Sequence, residues 1–247
     1  MNMRNLKFTI EYNGGKFSGW QKQTGKRTVQ DELEQAFLRA TGEKVCFEGS
    51  GRTDKGVHAL NQVASVQVKS PIPTKNIKQA LNDQLPEDVK VKKVENVKED
   101  FHARFSAKKK TYRYVVVIGQ KSAIENELVG NYPYNVDIKL MQQAGKLFVG
   151  KHNFKGFCSA NTQVTNFERE IYDLTISQHG KRVIFEISGN GFLYNMVRII
   201  VGTLLEIGSG RLPLENVKLA LESGQRKYAG PTMQPNGLYL KKVVYEN

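Results

Sequence analysis

The sequence predicts an α+β protein whose two halves repeat one order of elements, β-α-β-β-α-β. Three observations carry this. Apolar and polar residues alternate over residues 5–12 and 61–68, the period of strands buried on one face, and residues 111–118 also read as a strand. Apolar residues recur at three- and four-residue spacing over 28–42 and 74–85, the period of amphipathic helices. His179-Gly180 supplies a tight turn between two further alternating runs.

Taken in order, residues 5–12 read as a strand. The helix over 28–42 has Thr28 as N-cap, Asp31 three residues on, Val29, Leu33, Ala36, Phe37 and Ala40 along one side, and Gly42 as its stop. Strands follow over 43–49 and 61–68, then a helix over 74–85 with Ile77, Ala80, Leu81 and Leu85 on one side, then a strand over 89–97. The second half opens with the strand at 111–118 and a helix over 137–150 ending at Gly150. Strands over 170–178 and 181–188, a long apolar helix over 192–208, a shorter one over 213–224 and a last strand over 237–245 complete it. This is the split β-α-β unit of ferredoxin-like folds, with mainly antiparallel sheets and helices on one face. The halves are expected at 1–105 and 106–247, with a cleft between them; the duplication is one of element order, without a residue-level repeat.

Composition bounds the function classes. Of the 247 residues 39% are hydrophobic and 25% charged, and no apolar run approaches the ~18 residues of a membrane span. The N-terminus runs directly into a strand pattern and reads as no signal peptide. Two cysteines, Cys46 and Cys158, form no disulfide framework and are expected as small buried apolar residues in a reducing, cytoplasmic setting. Lys and Arg exceed Asp and Glu by 13, and the excess is spread over both halves. Such a surface attracts polyanions, nucleic acid above all.

Three places carry candidate chemistry. The first is "GSGRTDKGVHAL", residues 49–60. Glycines at 49, 51 and 56 permit positive φ or close backbone approach, and Arg52 beside Asp54 would hold the carboxylate ionised, as a nucleophile or base. An aspartate that merely caps a turn fits the loop equally well. The second is "FHARFSAKKKTYRY", residues 101–114, where Phe101, Phe105, Tyr112 and Tyr114 alternate with Arg104, Lys108, Lys109, Lys110 and Arg113. Cations for phosphates and rings for unstacked bases suit RNA, although core aromatics beside a solvated lysine run would look the same. The third is Arg198, a lone charge within an apolar helix, which calls for an anion.

Other chemistries lack their signatures. The glycine loop has no Gly-Lys-Ser/Thr ending, so it is no phosphate-binding P-loop. Gly189 and Gly191 precede Tyr194 where a dinucleotide fingerprint needs its third glycine. His58, His102, His152 and His179 show no paired metal-ligand spacing, and no metal or cofactor is expected. A non-catalytic two-module RNA binder shares the element order, but "KKKTYRYVVVIG" lacks the Gly-aromatic spacing of that module. A small-nucleotide enzyme is the other rival reading.

The blocks "YNGGKFSGWQKQ", "TVQDELE", "GRTDKGVHA", "FHARFSA", "YRY", "NMVRIIVGTLLEIG" and "GLYLKKVVY" together resemble, in order and spacing, the tRNA pseudouridine synthase A family, over about residues 6–245. The resemblance implies the pseudouridine synthase fold and isomerisation of uridine to pseudouridine on the 3′ side of the tRNA anticodon stem-loop, at positions 38, 39 and 40, by base flipping and without a cofactor. It implies Asp54 as the essential aspartate, Tyr112 as the tyrosine against the target base and Arg198 as an active-site basic residue. Arg52 and Arg104 match positions that contact tRNA, within an RNA-binding segment of Phe101, His102, Ala103, Arg104 and Phe105. A homodimer holding the tRNA in a shared basic cleft is implied as well. Asn61 stands where the family commonly has glycine, "GPTMQPNGL" departs from its usual alanine-rich stretch, and "NFKGFCSAN" is only loosely similar.

Overall fold

The computed structural model describes residues 3–160 and 164–246, which form ten strands and five helices. Residues 161–163, at the end of the loosely similar segment, lie outside the described residues. One compact unit takes the chain to Lys108 and resumes at Tyr239; the other spans Lys109–Leu238.

In the first unit β1 (Arg4–Tyr12) leads to α1 (Val29–Thr41), β2 (Glu48–Gly49), β3 (His58–Val68), α2 (Thr74–Asn82) and β4 (Val89–Val97). β1 lies between two antiparallel neighbours, with Phe8 opposite Ala64 of β3 and Val94 of β4. Its alternation decides what it buries. Leu6, Phe8 and Ile10 are wholly inside, and the Phe8 ring meets Phe47 edge-on at 5.0 Å. Phe47 meets Phe37 of α1 at 6.1 Å, so rings fill the space between sheet and helix. Leu33 and Ala36 of α1 and Ile77 and Leu81 of α2 complete this core. Lys7 faces the other way and pairs with Glu95 of β4 at 3.1 Å.

The strand expected over 43–49 shrinks to the two residues of β2. Cys46, expected inside, is exposed, because alternation in this stretch turns Phe47 inward and its neighbours outward. Its thiol is pushed up chiefly by partial burial, then by Glu34 and Glu48, and so is held as thiol. Cys158 is buried as expected.

β5 (Ala107–Ile118) enters the second unit at Lys109, followed by β6 (Gly130–Tyr132), α3 (Ile138–Lys146), β7 (Gly150–Asn153), β8 (Glu168–His179), β9 (Arg182–Gly189), α4 (Met196–Gly208) and α5 (Asn216–Ser223). The antiparallel order is β5-β9-β8-β7, and β6 pairs in parallel with β5. α3 stops at Lys146, four residues before the expected end. Gly150, at φ +106, opens β7 instead of capping the helix. α4 begins at Met196, four residues later than its apolar run suggested, and only Arg198 and Glu206 escape full burial. A helix apolar on every side must be covered on every side. Residues 230–237 supply part of that cover: Gly230 N donates to Thr203 Oγ1 at 2.8 Å, and a Cβ on Gly202 would lie 1.9 Å from the Pro231 carbonyl oxygen.

The last strand, β10 (Leu238–Tyr245), was expected in the second half, but residues from Tyr239 onward belong to the first unit. Tyr239 and Leu240 pair in parallel with His58 and Ala59 of β3. β2 occupies that edge of β3 only at Ser65 and Ala64, which leaves the His58 end to be covered. Asn61 fastens the junction, donating to Lys241 O at 2.8 Å and accepting from Lys92 Nζ at 3.1 Å. Among the described residues no helix is long and apolar enough to cross a membrane.

Gly202→Ala tests the covering segment. The added methyl meets backbone, which has no rotamer to yield, so a loss of about 1–3 kcal/mol is expected. Urea unfolding should show a lower midpoint at unchanged m-value; an unchanged midpoint would place residues 230–237 away from α4.

Candidate active site

The Asp54 loop is built from its buried neighbours outward. Ser50 N donates to Val63 O at 2.7 Å, and Ser50 Oγ to Gln62 Oε1 at 2.7 Å. Gln62 Nε2 donates to Gly51 O at 2.9 Å and, more weakly, to Tyr12 OH at 3.4 Å. Tyr12 OH shares a 2.7 Å bond with Thr53 Oγ1. Ser50 and Gln62 are wholly buried, where each lost bond would strand a polar group. Burial also pushes the Tyr12 hydroxyl well above the ordinary tyrosine range, so it serves as a neutral hydrogen-bonding group.

A second loop, residues 13–27, cradles this one through backbone. Trp20 N donates to Thr53 O at 3.0 Å, Gly56 N to Phe17 O at 3.4 Å, and Gly14 N to His58 Nδ1 at 3.0 Å. A Cβ on Gly14 would stand 2.0 Å from Val57 O, and one on Gly19, at φ +102, would stand 2.7 Å from Thr53 O. The same loop caps α1: Val29 N and Gln30 N donate to the carbonyls of Gly19 and Trp20. Thr28 therefore makes no side-chain cap. His58, with 1% exposure and an occupied Nδ1, is a structural histidine. "YNGGKFSGW" was legible as a family block, but its role as the cradle was not.

Within this frame Asp54 is half-buried, in a turn closed by Val57 N to Asp54 O at 3.1 Å, with Gly56 at φ +80. Of the three loop glycines only Gly56 uses a positive φ. Gly49 is needed for space, since its Cβ would lie 2.6 Å from the Trp20 indole. Arg52 is exposed, and among the described residues no ion pair joins it to Asp54. The expected Arg52–Asp54 pair is not formed: Thr53 between them turns inward to Tyr12, and a solvated guanidinium gains little from a surface pair.

Residues 101–106 form a second exposed feature of this unit. Ala103 is buried and held at both ends of its peptide, by Ser65 Oγ at 3.0 Å and Tyr245 OH at 2.8 Å. Phe101 packs on Tyr245 with centroids 5.0 Å apart. These two anchor the turn. Its tip points outward: Phe105 is 75% exposed, its ring 4.4 Å from His102, with the Arg104 guanidinium 5.5 Å from its centroid.

The second unit holds Tyr112 and Arg198. Tyr112 is half-buried on β5, edge-on to Phe192 at 5.1 Å. Tyr114 is core: it is wholly buried and donates to Gln234 O at 2.7 Å. Arg113, read as a candidate phosphate cation, lies on the opposite face in an ion pair with Glu186 at 2.7 Å. Lys108, in the first unit, pairs with Glu246 at 2.9 Å. Arg198 Nε donates to Met233 O and its Nη1 to Asn195 Oδ1, each at 2.6 Å. Phe192 and Asn195 share the short connection from β9 to α4, so one stretch of backbone supports both Tyr112 and Arg198. Phe192 and Met233 did not stand out in the sequence, and Asn195 did so only as part of a family block; each acts through contacts that spacing does not reveal. Among the described residues no group of three or more His, Cys, Asp or Glu could hold a metal ion.

Known proteins resemble the chain along nearly its whole length. Residues 9–106 and 144–246 match the profile of the family described as tRNA pseudouridine synthase. The tRNA pseudouridine synthase A of Anoxybacillus flavithermus is 47% identical over 246 residues, 99% of this chain and 100% of that protein. That of Caldicellulosiruptor bescii is 44% identical over 245 residues, 98% and 100% of the two chains. The chain belongs to the tRNA pseudouridine synthase family.

Proposed function

We propose that the protein isomerises uridine to pseudouridine in the anticodon stem-loop of tRNA, at positions 38, 39 and 40, with Asp54 as its nucleophile. The coarser part follows from its family: it is an isomerase, a tRNA pseudouridine synthase. One observation carries the finer part. Asp54 is a half-buried carboxylate on a loop fixed by a buried hydrogen-bond network and a glycine cradle. A carboxylate that cannot wander is what attack on a ribose or a pyrimidine ring requires.

The reaction breaks the C1′–N1 bond, turns the uracil, joins C1′ to C5, removes the proton from C5 and leaves N1 carrying one. Atoms and electrons balance within the nucleotide, so neither cofactor nor metal is needed. Asp54 attacks C1′, adds to the ring or assists a glycal intermediate; its fixed position serves each route. The half-exposed Tyr112 ring stacks on the detached uracil and keeps it from leaving while it turns. Arg198 supplies positive charge beside the reacting nucleotide. The uridine reaches these groups by flipping from the stem, at a cost of a few kcal/mol. Phosphate contacts offset that cost, with Arg52, His102, Arg104 and Phe105 as the RNA-facing groups of the first unit and Phe101 and Ala103 as their anchors. The enzyme acts in the cytoplasm as a homodimer, with tRNA in a shared basic cleft.

Two measurements test this reading. Asp54→Ala and Asp54→Asn should bind unmodified tRNA as the parent does and form no pseudouridine; turnover by either variant would remove Asp54 from the chemistry. The parent's tRNA affinity should fall linearly on a log–log plot against salt, with a slope of about −0.7 to −0.9 per neutralised phosphate. A flat plot would strip the net charge of +13 of its part in binding.

A further inference from the structure

We infer that Asn195 is a positioning residue for the isomerisation, holding the Arg198 guanidinium in its working plane; this rests on the reading of Arg198 given above. Asn195 is the non-glycine residue with positive φ among those described, at +61°. It stands as N-cap of α4, where an asparagine ordinarily adopts extended backbone and accepts a bond from an N–H of the first turn. Here it does neither. Its backbone is left-handed and its side chain makes no capping bond.

The amide is used elsewhere. Oδ1 accepts from Arg198 Nη1 at 2.6 Å, and Nδ2 donates to Ser159 Oγ at 2.9 Å. Ser159 N also donates to Tyr194 O at 3.2 Å, so the connection is latched to residue 159 by two bonds. Arg198 Nε is meanwhile fixed on Met233 O at 2.6 Å, and Met233 N returns a 3.3 Å bond to Arg198 O. Two of the three guanidinium nitrogens are thereby tied to points on separate segments, which determines the plane. Asparagine tolerates the left-handed region better than most residues, but glycine would sit there without strain. A strained residue that forgoes its cap and aims its amide at an active-site cation is retained for that amide. Phe192, three residues earlier in the same connection, packs on Tyr112 at 5.1 Å, so the latch steadies both side chains assigned to the nucleotide.

Asn195→Gly separates positioning from folding. It keeps the left-handed backbone available and removes only the amide, whereas Asn195→Ala removes the amide and leaves the strain. Both should lower the single-turnover rate on saturating tRNA by about tenfold to a hundredfold, with tRNA affinity unchanged. Melting temperatures should split them, with the alanine variant below the glycine variant, since only alanine leaves a side chain in the left-handed region. In an Arg198→Lys background, Asn195→Gly should cost little further rate, because the two act as one unit. A glycine variant at parental rate, a loss confined to affinity, or full additivity with Arg198→Lys would overturn the inference. If Arg198→Ala itself turned over at parental rate, the role given to Arg198 would fall and this inference with it. If Arg198→Ala is slow and Asn195→Gly is fast, this inference falls alone.

Discussion

The amide of Gln62 is the contact on which the order of the Asp54 loop depends. It is wholly buried in the middle of β3, yet it addresses the loop above it, accepting from Ser50 Oγ and donating to Gly51 O and Tyr12 OH. A buried amide with its bonds made is rigid, and one with its bonds broken is costly, so the loop has one low-energy position. Thr53 extends the network through Tyr12, and Asp54 follows immediately. The Asp54 carboxylate, the proposed nucleophile, inherits the order of a core residue while itself remaining half-exposed.

The elements that periodicity can show were legible: β1, α1, α2, β4, β8 and β9 fall where alternation or helical spacing put them. What stayed hidden has physical reasons. An apolar run marks burial but not where a helix begins, so residues 192–195 were absorbed into α4, although Asn195 turns the chain left-handed before Met196. A strand's partner lies in three dimensions, so β10 read as the close of the second half until its pairing with His58 and Ala59 placed residues from Tyr239 with the first unit. The site followed the same division. Asp54, Tyr112 and Arg198, the proposed site, were visible through motif likeness; Asn195 lay in a family block with no role of its own, and Gln62, Phe192 and Met233 look like ordinary sequence.

Charge was legible in amount and not in use. Arg27 is held by Asp88 through two bonds of 2.7 and 2.8 Å, and Arg113 is tied to Glu186 across β5 and β9. Lys7 and Lys93 both meet Glu95, whose carboxyl is drawn below its usual range first by the bond from Lys93. These cations neutralise the protein's own acids and have little left for a polyanion. The positive excess is therefore carried by side chains such as Arg52 and Arg104, which stand exposed.

Arg198 shows a further kind of contact. Two of its bonds go to neutral oxygens, the carbonyl of Met233 and the amide of Asn195, and these orient the guanidinium from two separate segments. Residues 230–237, expected from the resemblance to depart from the family's usual stretch, meet Arg198 through backbone. What that segment presents to Arg198 is main-chain carbonyl, which survives a change of side chain provided Gly202 and Gly230 keep the backbones in contact.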